Sequence, residues 1–546
     1  MAARFTEEDL MNLDNKTLIT LFLQLQDSFE QMNKNVAIMT QDMAIMREEI
    51  SYLRQSKFSR SSEKRTEEVE SDYQQMILVF NEAEVTVGLA ETIVEPELEE
   101  IHPSSYKRKK TKGKRESDLK GLPVKVINHK LSPEELDEML GKGWKELPEH
   151  IYKKLTFHPA SFEVEEHHVG VYAGKDDTII RAPHPKNLLD KSLVTPSLAA
   201  GIFNYKFVNS QPIARLESEF KRQDVNLSRQ VMCSWVIKLS ENWLSLLYDR
   251  LKLNIKECKV IQADETPCLV NHDGRPAGSK SYMWVYRSGS LEDSPPIVLY
   301  DYEKTRNADH PREFLIDYKG ACITDGYQVY HTLDKERPDI RFAGCWAHAR
   351  RKFDDVIKAN GKNSPAITVA SKAITQIGAM YKLENSYAEL TAEERLNKRQ
   401  LGIKPIVDAF FVWLDSIRDS VPAQSKTGKA ITYCLNQKVY LREFLNDGNI
   451  PIDNNAAERS IRSFCLGKKN WYVIDTIHGA EASAIAYSIA ETAKANDLRP
   501  YEYFEHLFEV IPQHQDDTDL SFLDDLLPWS ANLPIKCRKT KDEIQK

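Results

Sequence analysis

Signals for disulfides and for membranes are both missing from this 546-residue sequence. The first of its eight cysteines is Cys233, and no two cysteines are spaced as Cys-x-x-Cys. This usage argues against a disulfide framework and favours free thiols in a reducing compartment. No apolar run approaches the ~18 residues of a membrane span, and a basic-then-apolar signal peptide is absent from the N-terminus. We therefore expect a cytoplasmic protein with no membrane partner.

The sequence also lacks an overall positive charge, because its net charge is −8. That value argues weakly against a uniformly nucleic-acid-binding surface, but the charges are unevenly placed. Residues 82–100 hold seven glutamates and no basic residue, whereas residues 107–115, KRKKTKGKR, hold seven basic residues in nine. We interpret residues 61–118 as a charged linker, whose basic run either holds DNA phosphates or is simply solvated.

Apolar residues recur at alternating steps of four and three within residues 1–60, which predicts the seam of a left-handed coiled coil. The alternative is an amphipathic helix packed on the protein's own core. A coiled coil predicts a homo-oligomer, most simply a dimer. The seam residues are Leu18, Phe22, Leu25, Phe29, Met32, Val36, Met39, Met43, Met46, Ile50 and Leu53.

Two regions precede the predicted catalytic part of the chain. Residues 119–190 contain alternating segments such as SFEVEEHHVGVYA, which predict a few short strands. Residues 191–255 are helical in character, and ARLESEFKRQ-DVNL-SRQVMCSWVIKL has the length and turn of a helix-turn-helix. Ser228 would cap its second helix, which places Arg229 and Gln230 where recognition helices meet base edges. An ordinary helical hairpin is the competing interpretation.

From residue 258 the pattern predicts strand-strand-strand-helix-strand-helix-strand-helix, the order of an RNase H-like core. The strands are CKVIQAD, SYMWVYRS, PPIVLYDY, GACIT and the run near Ile340–Gly344, and a helix opens around AHARRKF. We predict a multidomain α+β protein with its core in two parts, 256–360 and 448–512. A helical insertion, 361–447, would separate these parts, and 513–546 would form a C-terminal tail.

This order places three carboxylates at one site: Asp264 in QADETP, Asp325 in ITDGY and Glu458 in PIDNNAAERSIR. Alternatively, the two aspartates end strands and cap turns. With Asn455 as the N-cap, Glu458 would be the third helical residue and could complete a capping box. Glu458 and Arg462 could also form an ordinary i,i+4 pair.

These motifs resemble those of transposases of the insertion sequence 66 family. The matching stretches, which follow the family's order over nearly the whole chain, are KFSRSSEKR, TPSLAAGIFNYKFV, NLSRQVMCSWV, ADETP, TDGYQVY, GCWAHARRKF, IDNNAAERSIR, GKKNWYV and DLSFLDDLLPW. The resemblance implies a bacterial DDE transposase that acts on double-stranded DNA, both at the element's terminal repeats and at the target. It also leaves room for accessory proteins encoded by the same element.

Residue roles follow from the matched positions. Asp264, Asp325 and Glu458 match the catalytic, metal-binding carboxylates. Cys345 and His348 match a C-x-x-H pair of related families, for which we expect a buried structural role because a lone cysteine usually belongs to a core. Candidate contacts to DNA phosphates are two basic groups: Arg350, Arg351 and Lys352, and Arg459, Arg462, Lys468 and Lys469.

The chain departs from the family in two places. Relatives carry two cysteine pairs before the helix-turn-helix, whereas residues 119–190 have none, so we expect a degenerate zinc-ribbon-like region without zinc. Asp224 stands in the turn where a glycine is usual.

Three carboxylates suit two Mg²⁺ ions, or Mn²⁺, at a phosphodiester. The competing hypotheses are a catalytically idle DNA-binding repressor and another RNase H-fold nuclease.

Overall fold

The computed structural model describes residues 19–20, 22–24, 26–35, 39, 161–168, 171–173, 179–181, 186–276, 278–360 and 368–540. The chain divides into two units, Met1–Tyr73 with Glu166–Lys546, and Gln74–Glu165. The described residues of the second unit, 161–165, are exposed and have no regular secondary structure. The predicted linker and its basic run lie outside the described residues. So do most of the coiled-coil seam and all of residues 119–160.

The described N-terminal residues are helical and exposed, including the seam residues Phe22, Phe29, Met32 and Met39. None of these four side chains is therefore covered by the protein's own core, which disfavours the alternative of an internally packed helix. Further on, β1 (Val171–Ala173) and β2 (Ile179–Arg181) pair antiparallel. They agree with the prediction of short strands in that region, but only the VYA end of SFEVEEHHVGVYA is a strand, and residues 161–168 have no regular secondary structure.

A mixed sheet organises the rest of the chain, and its strands follow the sequence prediction. The strand order is β5-β4-β3-β6-β7; β3, β4 and β5 pair antiparallel, and β3, β6 and β7 pair parallel. A further strand, β8, runs parallel to the far end of β3. The bounds are β3 (Val260–His272), β4 (Lys280–Ser288), β5 (Val298–Glu303), β6 (Gly320–Thr324), β7 (Ile340–Gly344) and β8 (Ile474–Thr476).

β3 is longer than the sequence pattern indicated, because it continues through Asp264 to His272. The interpretation of Asp264 as a strand-end cap is therefore wrong. Pro267 lies where β6 no longer pairs with β3 and β8 does not yet pair with it. Its carbonyl accepts a hydrogen bond from Lys468 rather than from a strand. The missing N–H of this proline thus interrupts no ladder, which is why β3 tolerates it.

In the described residues from 186 to 360, four helices precede the main sheet and three connect or follow its strands. They are α1 (Pro196–Phe203), α2 (Ile213–Arg222), α3 (Arg229–Leu239), α4 (Ser245–Lys256), α5 (Asp309–Phe314), α6 (Gln328–Glu336) and α7 (Trp346–Asn360). Single π-helical turns, Asn204–Val208 and Ser240–Leu244, continue α1 and α3. The buried faces of α1 to α4 belong to the same hydrophobic core as the sheet.

The predicted insertion is mostly helical where the structure describes it, and its helices share a second hydrophobic core with α7 and with residues of β3, β6 and β7 such as Val260, Ile323 and Ala343. Its helices are α8 (Val369–Ser386), α9 (Ala392–Lys398), α10 (Lys404–Ile417), α11 (Lys426–Asn436) and α12 (Lys438–Arg442), with short turns at Arg399–Ile403, Arg418–Ser420 and Glu443–Leu445. Arg399 is fully buried there, and it donates to the carbonyls of Phe444 and Asp447 and pairs with Glu384. A buried guanidinium of this kind is tolerated because two carbonyl acceptors and a carboxylate compensate its lost hydration.

The chain then returns to the sheet with α13 (Asn455–Trp471), α14 (Ile477–Ala495), α15 (Pro500–Val510) and α16 (Leu523–Leu526), plus short turns at Ile511–His514 and Ile535–Cys537. α14 covers the edge strand β5. Its buried alanines allow close approach, and Ser488 and Thr492 accept hydrogen bonds from the N–H groups of Tyr300 and Val298, at 2.7 and 3.0 Å. These bonds satisfy backbone groups that an edge strand would otherwise expose.

Candidate active site

The face of β3 that carries Asp264 is held against the start of α13. Residues alternate between the two faces of a strand, so Gln262, Asp264 and Thr266 share one face. Gln262 donates to the carbonyl of Asp453 (3.1 Å), and the Asn454 side chain donates to the carbonyl of Ala263 (2.8 Å). Asp264 is buried, and its carboxylate accepts the N–H of the next residue at 2.9 Å.

Asp325 reaches the same place from the neighbouring strand. The parallel register pairs Gln262 with Ile323, so two further residues along bring Asp264 level with Asp325. Adjacent strands lie ~4.8 Å apart, and residues level in a parallel pair point to one face. Asp325 directly follows β6, in a tight turn in which Gly326 has φ +88, a left-handed conformation that glycine adopts without strain.

Glu458 lies in the first turns of α13, but the helix does not have the predicted N-cap. The helix begins at Asn455, so its cap is Asn454, whose side chain makes no capping bond. The capping-box prediction for Asn455 and Glu458 is therefore wrong: the Asn454 amide is engaged by β3, and the Asp453 carboxylate accepts the N–H of Asn455 instead. Glu458 is the fourth helical residue, and its carboxylate points away from the helix start toward α7.

Residues of α7 hold that carboxylate. Arg351 donates to Oε2 of Glu458 at 2.9 Å, so this arginine, and not Arg462, is its ion-pair partner. Nδ1 of His348 lies 3.5 Å from Oε1, beyond good hydrogen-bond distance. Both atoms are buried without a hydrogen-bond partner in the described part of the chain. Cys345 completes a cluster whose ligand atoms lie within 4.8 Å of one another, and its thiol accepts the N–H of Asn454 at 3.1 Å.

The electrostatics of the site are those of crowded negative charge. Burial, followed by the charges of Glu265, Asp325 and Glu458, raises the pKa of Asp264 well above its usual range. Burial and the charge of Asp325 raise the pKa of Glu265 to about 7. Such a cluster gains from a neutralising cation, and its hard oxygen donors suit a divalent ion. Burial lowers the pKa of His348, which leaves a neutral ring beside Glu458.

Three models of known protein families match this chain. The family model described as Transposase IS66 family matches residues 191–482, which is more than half the chain. A model of the IS66 C-terminal element matches 488–529, and one described as Transposase C of IS166 homeodomain matches 45–127. The chain belongs to the IS66 transposase family. Membership implies DNA transposition and DNA binding.

Its relatives include three proteins of Sinorhizobium fredii (strain NBRC 101917 / NGR234), each named as an uncharacterized protein. The relative y4jD is 31% identical, and the match covers 65% of this chain and 70% of the relative. The relative y4qI is 29% identical over 83% of this chain and 84% of its own length. A third, y4hP, is 27% identical over 71% and 72%. In the part of the chain that the structure describes, no helix combines the length and apolar character needed to cross a bilayer.

The residues proposed to contact DNA in this IS66 family member fall into two classes of exposure. Arg229, Gln230, Arg350, Lys352, Arg459 and Arg462 are exposed, whereas Ser228, Arg351, Lys468 and Lys469 are partly buried. Some of the second class already have structural partners. The Ser228 hydroxyl caps α3 by accepting the N–H of Val231, and the Lys468 ammonium donates to the carbonyl of Pro267 at 2.6 Å.

Sequence reasoning missed two groups of residues around the carboxylates. The first is Glu265 with its ion-pair partner Arg306. The second comes from the insertion: the Tyr433 hydroxyl donates to the carbonyl of Asp325 (2.9 Å), and the Gln437 amide donates to that of Gly326 (3.3 Å). The only sequence signal was a second acid beside Asp264 in an otherwise apolar strand. Arg306, Tyr433 and Gln437 carried none.

Proposed function

We propose that this IS66 family member is a DDE transposase that binds the ends of its element, cleaves phosphodiester bonds there and joins the 3′ ends to target DNA. The observation that carries the proposal is the meeting of Asp264, Asp325 and Glu458 at one end of the sheet. Their charges act together on the pKa of Asp264, although Glu458 follows Asp325 by more than a hundred residues. Three carboxylates that converge from the interior of β3, the turn after β6 and the first turns of α13 suit phosphoryl-transfer chemistry.

The sheet supports an RNase H-like core. Its order, β5-β4-β3-β6-β7, has three antiparallel strands followed by two parallel ones, with Asp264 on the central strand. On this interpretation the core is formed by 256–360 and 448–512, separated by the insertion 361–447. The helix-turn-helix region, 191–255, packs on the core through buried residues of α3 such as Met232 and Trp235. The interpretation of 119–190 as a degenerate zinc-ribbon-like region stays a prediction.

Asp264, Asp325 and Glu458 would hold the divalent cations, with Mg²⁺ favoured and Mn²⁺ an alternative. Such cations, when bound, activate the attacking hydroxyl and stabilise charge on the leaving oxygen. Glu458 must present an oxygen to the site, and Oε1 is the available one because Arg351 already engages Oε2. Arg351 thereby orients the carboxylate. Cys345 fixes the start of α13 through the N–H of Asn454, which supports its predicted structural role.

DNA contacts would come from two exposed surfaces. Arg459 and Arg462 follow Glu458 by one and four residues on α13, so they can neutralise phosphates beside the scissile bond. Arg350 and Lys352 flank Arg351 on α7. Arg229 and Gln230 open α3 and are exposed, as a recognition helix requires. The exposed apolar seam near the N-terminus supports a homodimer that holds two element ends.

The test is cleavage and joining of a duplex that carries the terminal sequences flanking this reading frame in its source DNA. Wild-type protein should nick and join that duplex only with a divalent cation present, and Asp264→Asn and Asp325→Asn should bind it without cleaving it. End binding without cleavage by the wild type would favour the repressor hypothesis. Cleavage without joining, or without preference for the ends, would favour another nuclease.

A further inference from the structure

A fourth carboxylate lies beside the three already described. Glu265 follows Asp264 on β3, and its side chain is 2% exposed. Strand alternation directs it to the opposite face of the sheet from Asp264. Arg306, in the segment after β5, donates from both Nε (2.7 Å) and Nη2 to Oε1 of Glu265. Oε2 is buried without a hydrogen-bond partner in the described residues. The arginine is therefore the partner that compensates this buried charge.

Arg306 in turn contacts the turn that carries Asp325. Its guanidinium lies 3.7 Å from the ring centroid of Tyr327, a close cation–π contact. The hydroxyl of Tyr327 donates to the backbone carbonyl of Arg306 at 3.1 Å. The N–H of Tyr327 donates to Oδ1 of Asp325 at 2.9 Å. A continuous set of contacts thus links the residue after Asp264 to the carboxylate of Asp325.

We propose that Glu265, Arg306 and Tyr327 form a brace that positions Asp325 relative to Asp264 for binding a divalent cation. The proposal rests on the proposed function, because it concerns the same cation site. β3 and β6 pair only as far as Gln262 and Ile323, so the strand ladder itself no longer fixes Asp325. From the opposite face, the brace adds a constraint to the hydrogen bond that Tyr433 makes with the Asp325 carbonyl. Its members touch neither the cation nor the DNA and act through Asp325.

Two substitutions of opposite charge distinguish positioning from simple electrostatics. Glu265→Gln removes a negative charge near the site, and Arg306→Met removes a positive one, while both break the brace. If only charge mattered, the first would weaken cation binding and the second would strengthen it. If the brace positions Asp325, both should weaken binding. The double variant should then be no worse than either single variant, because the residues act as a unit.

The measurement is Mn²⁺ binding by the full chain without DNA, followed through the paramagnetic resonance signal of the free ion. We expect at least a fivefold rise in the Mn²⁺ dissociation constant for both single variants and a similar rise in the Mg²⁺ concentration for half-maximal cleavage. Glu384→Gln breaks a comparable buried Arg–Glu pair in the insertion and should leave Mn²⁺ binding unchanged.

Opposite shifts for Glu265→Gln and Arg306→Met, or unchanged binding in both, would overturn the brace. Glu265→Gln leaves only the partly exposed Arg306 without its partner, so it should fold even if Arg306→Met, which leaves the buried Glu265 unpaired, does not. Thermal unfolding of each variant checks this point. Failure of the proposed function gives a different result, since Asp325→Asn would then bind Mn²⁺ as tightly as the wild type.

Discussion

Replacing Glu458 with glutamine separates a chemical role from a local structural one. Glutamine keeps the size of the side chain and suits the first turn of a helix, but it removes the charge. Because Glu458 makes no capping bond and points toward α7, the substitution should not disturb the start of α13. A defect in cleavage would therefore arise at the carboxylate site rather than from a frayed helix.

The magnitudes can be worked from the contacts. Loss of a cation ligand removes several kcal/mol of transition-state stabilisation, and about 4 kcal/mol corresponds to roughly a thousandfold in rate. The lost pair with Arg351 costs about 1 kcal/mol of stability, since its two side chains are 14% and 28% exposed. Removing one charge also relieves repulsion with Asp264, which offsets that loss. The melting temperature without metal should thus shift by no more than about 4 °C.

The assay compares cleavage of the end duplex, binding to it and thermal unfolding for Glu458→Gln and a matched control. Glu491→Gln is that control, because Glu491 is a helical glutamate, 11% exposed, that is paired with Lys494 outside the site. We expect end binding within a few-fold of wild type for both variants and loss of cleavage for Glu458→Gln alone. Near-normal cleavage by Glu458→Gln would refute the assignment of this residue as a cation ligand.

In the folded protein the pKa of Asp264 is raised and that of Glu265 is raised to about 7. In the absence of metal, the free energy of unfolding should therefore fall as the pH rises from about 4 to about 7. Calorimetry in the presence of a chelator should show a smaller fall for Asp264→Asn. Light scattering should show a smaller oligomer after deletion of residues 1–60. Asp224 has φ +58, so Asp224→Gly should change the free energy of unfolding by less than about 1 kcal/mol in denaturant titrations without weakening end binding. Elemental analysis should find less than one zinc per chain, because Arg351 already neutralises the carboxylate of the Cys345 cluster.

Local patterns in the sequence were sufficient to predict the strands and the helix that carries Glu458. GACIT and the run near Ile340–Gly344 form β6 and β7 with the predicted bounds, because short apolar runs between turn residues have few alternatives. The cap of α13 could not be predicted in the same way. Asp453, Asn454 and Asn455 are all suitable caps, and the choice is made by β3, which engages the Asn454 side chain.

The ion-pair partners of the carboxylates could not be predicted from local patterns either, because they are distant in sequence. Arg351 and Glu458 are 107 residues apart, and Arg306 and Glu265 are 41 apart. An arginine in a polar segment has no periodicity that distinguishes a buried partner from a solvated one. Only the packing of α7 and α13 on one sheet decides which arginine pairs with which carboxylate. The three acids were identifiable because each sits at a recognisable element, whereas their partners do not.

The chain leaves the sheet at the end of β7 and returns to it at the start of α13, the helix that carries Glu458, and these two places are in contact. Where it leaves, the N–H of Trp346 donates to the carbonyl of Ile452, and the thiol of Cys345 accepts the N–H of Asn454. The Trp346 indole donates to the carbonyl of Leu441 within the insertion. These bonds join the end of β7 to the start of α13, so the segment between them begins and ends at adjacent places. The insertion is nevertheless tied to the site, because the Tyr433 hydroxyl and the Gln437 amide donate to the backbone carbonyls of Asp325 and Gly326 and so help to hold the turn that carries Asp325.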